Sequence, residues 1–402
     1  MTSHVVVIGA GLAAVSLCGA LRAEGHRGPI TVVGDEPGLP YDRPPLSKGF
    51  LTGTVGDERL PLRPAAWYEQ QRITLRTGTP VTHLDPRAGR VELADGTRLE
   101  ADAVVLATGG TPRTLPAAVA PPHEAVRTLR THADATALRA RLVPGTRLLV
   151  VGAGLIGAES AACAAQLGCR VTLVDPAALP LAGAVGPHAA TFLHAQHAAH
   201  GVTTVTAGLR ALTADGAGVR AVLTTGASVD ADLVLVGIGI RPTTRLAEEA
   251  GAAVDHGVLV DAGMRSSLPG LFAVGDAARP LGPDGPLPRV EHWDNARTSG
   301  ERAARAILGL PEPAPRAPWF WTDRYGHHLE MAGHYDPQAE PAFRGDLTAG
   351  DGSVLYLREG RCVGAVAVGR PNDVKAAQRL IDRQIPVDVH AVESGSLRSL
   401  LG

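Results

Sequence analysis

Two stretches of the chain decide the fold: HVVVIGAGLAAVSLCGALRAEG (4–25) and RLLVVGAGLIGAESAACAAQLG (147–168). Each opens on a β-branched apolar run, passes a glycine-rich turn and continues as an Ala-rich stretch closed by Gly25 or Gly168. Each then enters a second apolar strand, at 30–33 and at 170–174. A strand, a glycine turn, a helix and a parallel strand make a βαβ unit. The chain therefore holds a diverged internal repeat. It predicts an α/β protein with two Rossmann-like dinucleotide-binding domains.

The glycine spacing carries the chemistry. Gly9, Gly11 and Ala14 form G-x-G-x-x-A, and Gly152, Gly154 and Gly157 form G-x-G-x-x-G. The first residue makes the tight turn and the second lets backbone approach a pyrophosphate. The third lets helix and strand pack closely, and Ala is tolerated there. The phosphates then meet unpaired N–H groups at a helix N-terminus. A single fingerprint in a Gly- and Ala-rich chain is weak evidence. Two copies, each between strand and helix, are much stronger. Asp35 and Glu36 follow the first unit and Asp175 the second. A carboxylate at that place accepts ribose hydroxyls and repels a 2′-phosphate. Between Asp175 and Arg210 there is no Arg or Lys, so NADH is expected over NADPH.

Length and composition bound the rest. The 402 residues, 45% hydrophobic and 19% charged, suit two to three globular domains. A formal net charge of −2 offers no cationic field for nucleic acid or anionic lipid. Cys18, Cys163, Cys169 and Cys362 form no CxxC pair and no metal-ligand spacing. That pattern argues against a zinc site and a dithiol redox centre, and it suits a reducing compartment. The uncharged run 5–21 follows only His4, without Lys or Arg, unlike a signal peptide. A cytoplasmic protein without stable membrane insertion is expected. Of 38 Lys and Arg only Lys48 and Lys375 are lysines. A lysine kept against that bias suggests a need for a compact, tunable ammonium.

Further along, 90–110 reads as a hairpin with its turn at Asp95–Gly96, then a buried strand. Residues 221–239 repeat that pattern, and 270–276 is one more buried strand. Asp294 is expected to cap a helix through Ile307, with Arg297, Glu301 and Arg305 on its wet face. The proline-rich 310–318 is a linker, and 319–402 forms a third, α+β domain. His327 and His328 are read as a surface loop without partner acids.

Beyond the fingerprints, the strings GLPYDRPPLSKGFLTG (38–53), ATGG (107–110), VGIG (236–239), LFAVGDAA (271–278), VEHWDNA (290–296) and PWFWTDRYG (318–326) resemble those of oxygenase-coupled NADH–ferredoxin reductases. The resemblance covers nearly the whole chain and implies a glutathione-reductase-like fold. An FAD domain (1–113 and 239–311) is interrupted by an NAD domain (114–238), and an interface domain (312–402) follows. It implies non-covalent FAD, NADH and a small iron–sulfur ferredoxin that feeds a terminal oxygenase.

Carried over, the FAD positions are Gly9, Gly11, Ala13, Ala14, Asp35, Arg43, Lys48, Val81, Arg130, Asp276 and Trp293. Those for NAD are Gly152, Gly154, Ile156, Gly157, Glu159, Asp175 and Gly239. The catalytic assignments are Lys48, Glu159 and Trp321. A cation near the reactive edge of the flavin would stabilise negative charge there, and the resemblance sets Lys48 against Glu159. The bland alternatives are a surface lysine, a solvated helix-face acid and, for Trp321, a core aromatic. Hydride transfer asks the protein mainly to hold two rings ~3–3.5 Å apart.

Two departures stand out. The family has Glu where this chain has Asp175, and basic residues after it that are missing here. Residues 312–402 hold ten Lys and Arg against twelve Asp and Glu, so charge marks no docking face there. Arg297, Arg302, Arg305 and Arg316 are the candidate local patches. The competing functions are an NADH oxidase, peroxidase or small-molecule reductase, and a redox-sensing flavoprotein interaction module. The first of these normally keeps a cysteine where this chain has PLSKGF. The second wants long basic stretches, and the chain has none.

Overall fold

The structure is a computed structural model that describes residues 3–216 and 218–401. It divides into two compact units. The first comprises Met1–Asp42, Asp57–Thr111 and Ile240–Ala314, and the second Arg43–Gly56, Pro112–Gly239 and Pro315–Gly402.

In the first unit, strand Val5–Ile8 lies at the centre of a parallel five-stranded sheet. Its order is Leu271–Ala273, Ala103–Leu106, Val5–Ile8, Ile30–Val33, Ile73–Arg76. The three central strands are buried at every position. Parallel strands covered on both faces read as continuous apolar runs for this reason. Helix Leu12–Ala23 turns Leu17, Cys18 and Leu21 into the core. Helix Trp293–Ile307 adds Ala303, Ala304 and Ala306.

The second unit repeats the plan. Strand Arg147–Val151 lies between Arg170–Asp175 and Leu233–Val236, with Thr203–Thr206 and Val126–Arg127 at the edges, all parallel. The repeat extends to single hydrogen bonds. Gly9 N–H donates to Val33 O (2.7 Å) and Ala107 N–H to Ile8 O (2.7 Å). Gly152 N–H donates to Val174 O (2.8 Å) and Gly237 N–H to Val151 O (2.7 Å). Both fingerprints thus lie where the strand order reverses, and ligand crevices open at such switch points.

The unit also holds an antiparallel sheet of order Trp319–Arg324, His327–Gly333, Arg361–Val368, Asp351–Arg358, Glu340–Asp346. One face packs on helix Ala182–Ala199 through Val185, Phe192, Leu329 and Met331. Helix Pro371–Asp382 covers the other face through Val374 and Leu380.

Two readings of the sequence are corrected here. The helix begins at Trp293 with His292 at the N-cap, and Asp294 lies inside its first turn. There Asp294 is buried and accepts from Arg297 at 2.9 Å, so an ion pair takes the carboxylate that a cap would use. His327 and His328 begin a strand and are not in a loop. Acids also meet His328: Asp323 at 2.6 Å and Glu330 at 3.0 Å. These partners come from cross-strand pairing and alternation, which adjacent positions in a sequence do not display. No described helix is long and apolar enough to cross a membrane.

Candidate active site

Both glycine turns have the geometry of a phosphate cradle. Gly9 has φ +109° and Gly152 φ +99°, where a side chain is strained. A Cβ on Gly9 would stand 2.2 Å from Ala107 O, and one on Gly152 2.5 Å from Gly237 O. At Gly11 and Gly154 a Cβ would meet nothing within 4 Å. The backbone therefore faces open space at the position where a pyrophosphate must come close. The first helical bonds run from Val15 N–H to Gly11 O (3.1 Å) and from Ala158 N–H to Gly154 O (3.0 Å). The N–H groups before them lack acceptors within the helix. The cradles thus fit a dinucleotide each.

The third fingerprint positions differ. Ala14 is fully buried without conflict, whereas a Cβ on Gly157 would stand 1.9 Å from Gly152 O. The second helix sits closer on its turn and requires glycine.

Around the second turn lies a cavity of about 450 Å³, lined among others by Gly152, Gly154, Asp175, Ile238 and Gly239. Asp175 Oδ2 accepts from Ala153 N–H and Oδ1 from Ala177 N–H, both at 2.8 Å. Its carboxylate thereby clamps the strand end to the glycine turn. Ile156, on the first turn of the helix, is 42% exposed.

Glu159 lies on that helix but belongs to a different cluster. It is only 2% exposed, so it is no solvated helix-face acid. Its Oε2 accepts from Lys48 Nζ at 2.7 Å and Ser47 Oγ at 2.5 Å, and its Oε1 from Thr322 Oγ1 at 2.7 Å. Arg324 Nε donates to Thr322 Oγ1 at 3.3 Å, which points the hydroxyl proton at Glu159. Burial lowers the Arg324 pKa to about 10 although the Glu159 charge opposes this. Lys48 Nζ lies 6.0 Å from the centre of the Trp321 ring. Lys48, Glu159 and Trp321 are therefore brought together, from three distant parts of the chain.

Ser47, Thr322 and Arg324 belong to this cluster, although the sequence reading left them out. The signal was present, because they flank Lys48 and Trp321 in the SK and FWTDR strings. Cys163 was also missed. PLSKGF contains no cysteine, yet Cys163 Sγ donates to Ser47 O at 3.4 Å and to Lys48 O at 3.5 Å. Burial, then the Glu159 charge, pushes its thiol up to about 12. It is a packing thiol, not a nucleophile.

In the first unit, Ala13 packs beside Gly275, whose Cβ would stand 3.3 Å from the Ala13 Cβ. That places Asp276 next to the first cradle. Arg289 holds the Asp276 carbonyl at 2.8 Å. Trp293 Nε1 donates to Asp42 at 2.8 Å, tying the helix to the YDRPP string. Asp35 lies exposed at the end of the second strand, and Val81 is buried in strand Val81–Asp85. In the second unit, Arg43 donates to Arg130 O at 2.6 Å. Two docking candidates are already neutralised. Arg297 pairs with Asp294 and Glu301, and Arg305 pairs with Glu24.

Two cradles at switch points and a buried Lys–Glu pair define a two-dinucleotide oxidoreductase, and comparison with known proteins agrees. Residues 3–300 match the pyridine nucleotide-disulphide oxidoreductase family, and residues 319–401 match the reductase C-terminal family. The chain belongs to the pyridine nucleotide-disulphide oxidoreductases, in the branch of oxygenase-coupled ferredoxin reductases. It is 42% identical to the ferredoxin–NAD(+) reductase component of the anthranilate 1,2-dioxygenase system of Burkholderia cepacia, over 94% of this chain and 93% of the relative. It is 38% identical to the ferredoxin–NAD(+) reductase subunit of the benzene 1,2-dioxygenase system of Pseudomonas putida, over 96% and 94%. The putidaredoxin reductase chain in its covalent complex with putidaredoxin superposes with a TM-score of 0.93, at 35% identity over 99% and 98%.

Proposed function

We propose that this protein is an NADH–ferredoxin reductase that binds FAD and NADH and supplies electrons to an oxygenase through a small iron–sulfur ferredoxin. One NADH and two oxidised ferredoxins give NAD⁺, one proton and two reduced ferredoxins. FAD, when bound, accepts a hydride from NADH and releases its electrons singly. FAD is assigned to residues 1–113 and 239–311, NADH to 114–238, and partner contact to 312–402.

Gly9, Gly11, Ala13 and Ala14 would hold the FAD pyrophosphate, Asp35 its ribose and Asp276 its ribityl chain. Arg43, Val81, Arg130 and Trp293 complete that set. Gly152, Gly154, Ile156, Gly157, Asp175 and Gly239 would hold NADH. Glu159 fixes the Lys48 ammonium, and the ammonium stabilises negative charge as it develops nearby during reduction. Trp321 lies on the route to the ferredoxin.

The buried Lys48–Glu159 pair carries this reading. A disulfide reductase or peroxidase needs a thiolate at that loop; the loop has no cysteine, and Cys163, which packs against it from helix Leu155–Gln166, is held protonated by burial. Four free cysteines, three of them buried, support a cytoplasmic location. NADH-driven cytochrome c reduction tests the proposal. Turnover should appear only with a ferredoxin, chosen from a panel of [2Fe–2S] and other types. Fast turnover on peroxide alone refutes it.

A further inference from the structure

The acids that flank His328 form a chain that ends on Trp321. Strands Trp319–Arg324 and His327–Gly333 pair so that Trp321 faces Glu330 and Asp323 faces His328. Side chains directly opposite, and two residues along, share one face of the sheet. Trp321 Nε1–H donates to Asp323 Oδ2 at 3.1 Å. Asp323 Oδ1 lies 2.6 Å from His328 Nδ1, and His328 Nε2 lies 3.0 Å from Glu330 Oε1. Trp319 stacks on Trp321 with 5.1 Å between ring centres.

Both imidazole nitrogens therefore face carboxylate oxygens. A neutral ring has one N–H and would turn a lone pair on one of them. The doubly protonated ring satisfies both. Glu330 raises the stakes, since it is 8% exposed and its Oε2 is buried without a hydrogen-bond partner. Its contact with His328 is what compensates the buried charge.

We propose that His328 is a positioning residue for Trp321: its protonated ring, clamped by Glu330, holds Asp323 where it accepts the indole N–H, and loss of the ring proton releases the indole and slows electron delivery to the ferredoxin. The inference rests on the role given to Trp321 above. Burial opposes the charge on His328, but the hydrogen bonds it donates to Asp323 and Glu330 outweigh it and raise the pKa above its usual 6.5. The clamp is therefore intact below the usual histidine pKa and is lost as pH rises through the raised value.

Other charges do not take over. On helix Pro371–Asp382, packed over the same face, Asp373 is held by Arg344 and Ser353, Asp382 accepts from Ala317 N–H, and Lys375 and Arg379 are exposed. The paired residues Val366, Ala367 and Val368 on the adjoining strand are apolar, and Arg370 just beyond them binds Asp351.

The test uses the full chain loaded with FAD and labelled with 5-fluorotryptophan, with the Trp321 resonance identified by Trp321→Phe. Between about pH 5.5 and 9 that resonance should move in one step on the alkaline side of the usual histidine range. His328→Gln should abolish the step, and Glu330→Gln should shift it to lower pH. Ferredoxin-dependent turnover at saturating NADH should fall roughly fivefold over the same step in the parent and lose this limb in His328→Gln. A Trp321 signal that does not titrate, or that titrates alike in His328→Gln, overturns the proposal. Flavin bleaching by NADH in the same samples reports separately on the function. If bleaching fails, the oxidoreductase reading fails; if bleaching proceeds without the Trp321 step, the clamp alone is wrong.

Discussion

Replacing Lys48 by Met removes one half of a buried ion pair and leaves Glu159 with no cation at contact distance. Breaking such a pair from one side costs ~3–5 kcal/mol, because the remaining charge is stranded. Two features reduce that cost here. Lys48 keeps 19% of its side chain in solvent, so its own desolvation is incomplete. Glu159 also retains the Ser47 and Thr322 hydroxyls, and hydrogen bonds to a charged group are worth ~1.5–3 kcal/mol each. The expected loss is about 2–3 kcal/mol. Lys48→Met/Glu159→Gln should lose less, because no charge is then stranded. Urea unfolding at saturating FAD measures this. A loss below about 1 kcal/mol in Lys48→Met, or one equal in the double variant, would mean that the pair is not coupled as argued. Stopped-flow kinetics on the same variant address function. Flavin reduction by NADH should slow at least about tenfold while FAD stays bound. Unchanged reduction would remove the electrostatic role of Lys48.

Asp175→Ala deletes both the expected ribose acceptor and the clamp on Ala153 N–H, so the KM for NADH should rise about tenfold; a steady-state KM equal to the parent's would retire the assignment. Gly157→Ala forces a Cβ to 1.9 Å from Gly152 O and should cost ~1–3 kcal/mol and most NADH affinity, measured by calorimetry and NADH titration, whereas Ala14→Gly should cost ~1 kcal/mol. His197 is 1% exposed beside the Tyr325 hydroxyl, and burial, reinforced by Arg324, lowers its pKa to about 3 from the usual 6.5. The unfolded chain therefore binds the proton first, and stability should be lost as pH falls from ~6.5 toward 3, by at most ~5 kcal/mol from this group. His197→Asn should flatten that part of a pH-resolved urea series, and an unaltered slope would assign the acid sensitivity elsewhere.

The fold was legible because its decisive signals are local. Each βαβ unit declares itself within thirty residues, and the glycine turns carry a positive φ at Gly9 and Gly152, a demand of the local backbone. The strands expected at 30–33 and 170–174, the second one residue longer in the structure, and the hairpin turn at Asp95–Gly96 followed from the same short-range patterns. The N-cap expected at 294 differs because the helix starts at Trp293, and Asp294, inside its first turn, pairs with the equally local Arg297.

The candidate site was legible only in part. The letters of the sequence identified a rare lysine in PPLSK, an acid two residues past a fingerprint and a tryptophan in FWTD. Ser47, Thr322 and Arg324 were signalled only by their places beside Lys48 and Trp321, and the letters gave no sign that Cys163 packs there or that His328 lies between two carboxylates. Dinucleotide binding is encoded in contiguous backbone, so the chain determined it by itself. The state of the charged groups was decided by tertiary structure, because burial and the meeting of distant strands set the electrostatics of each group.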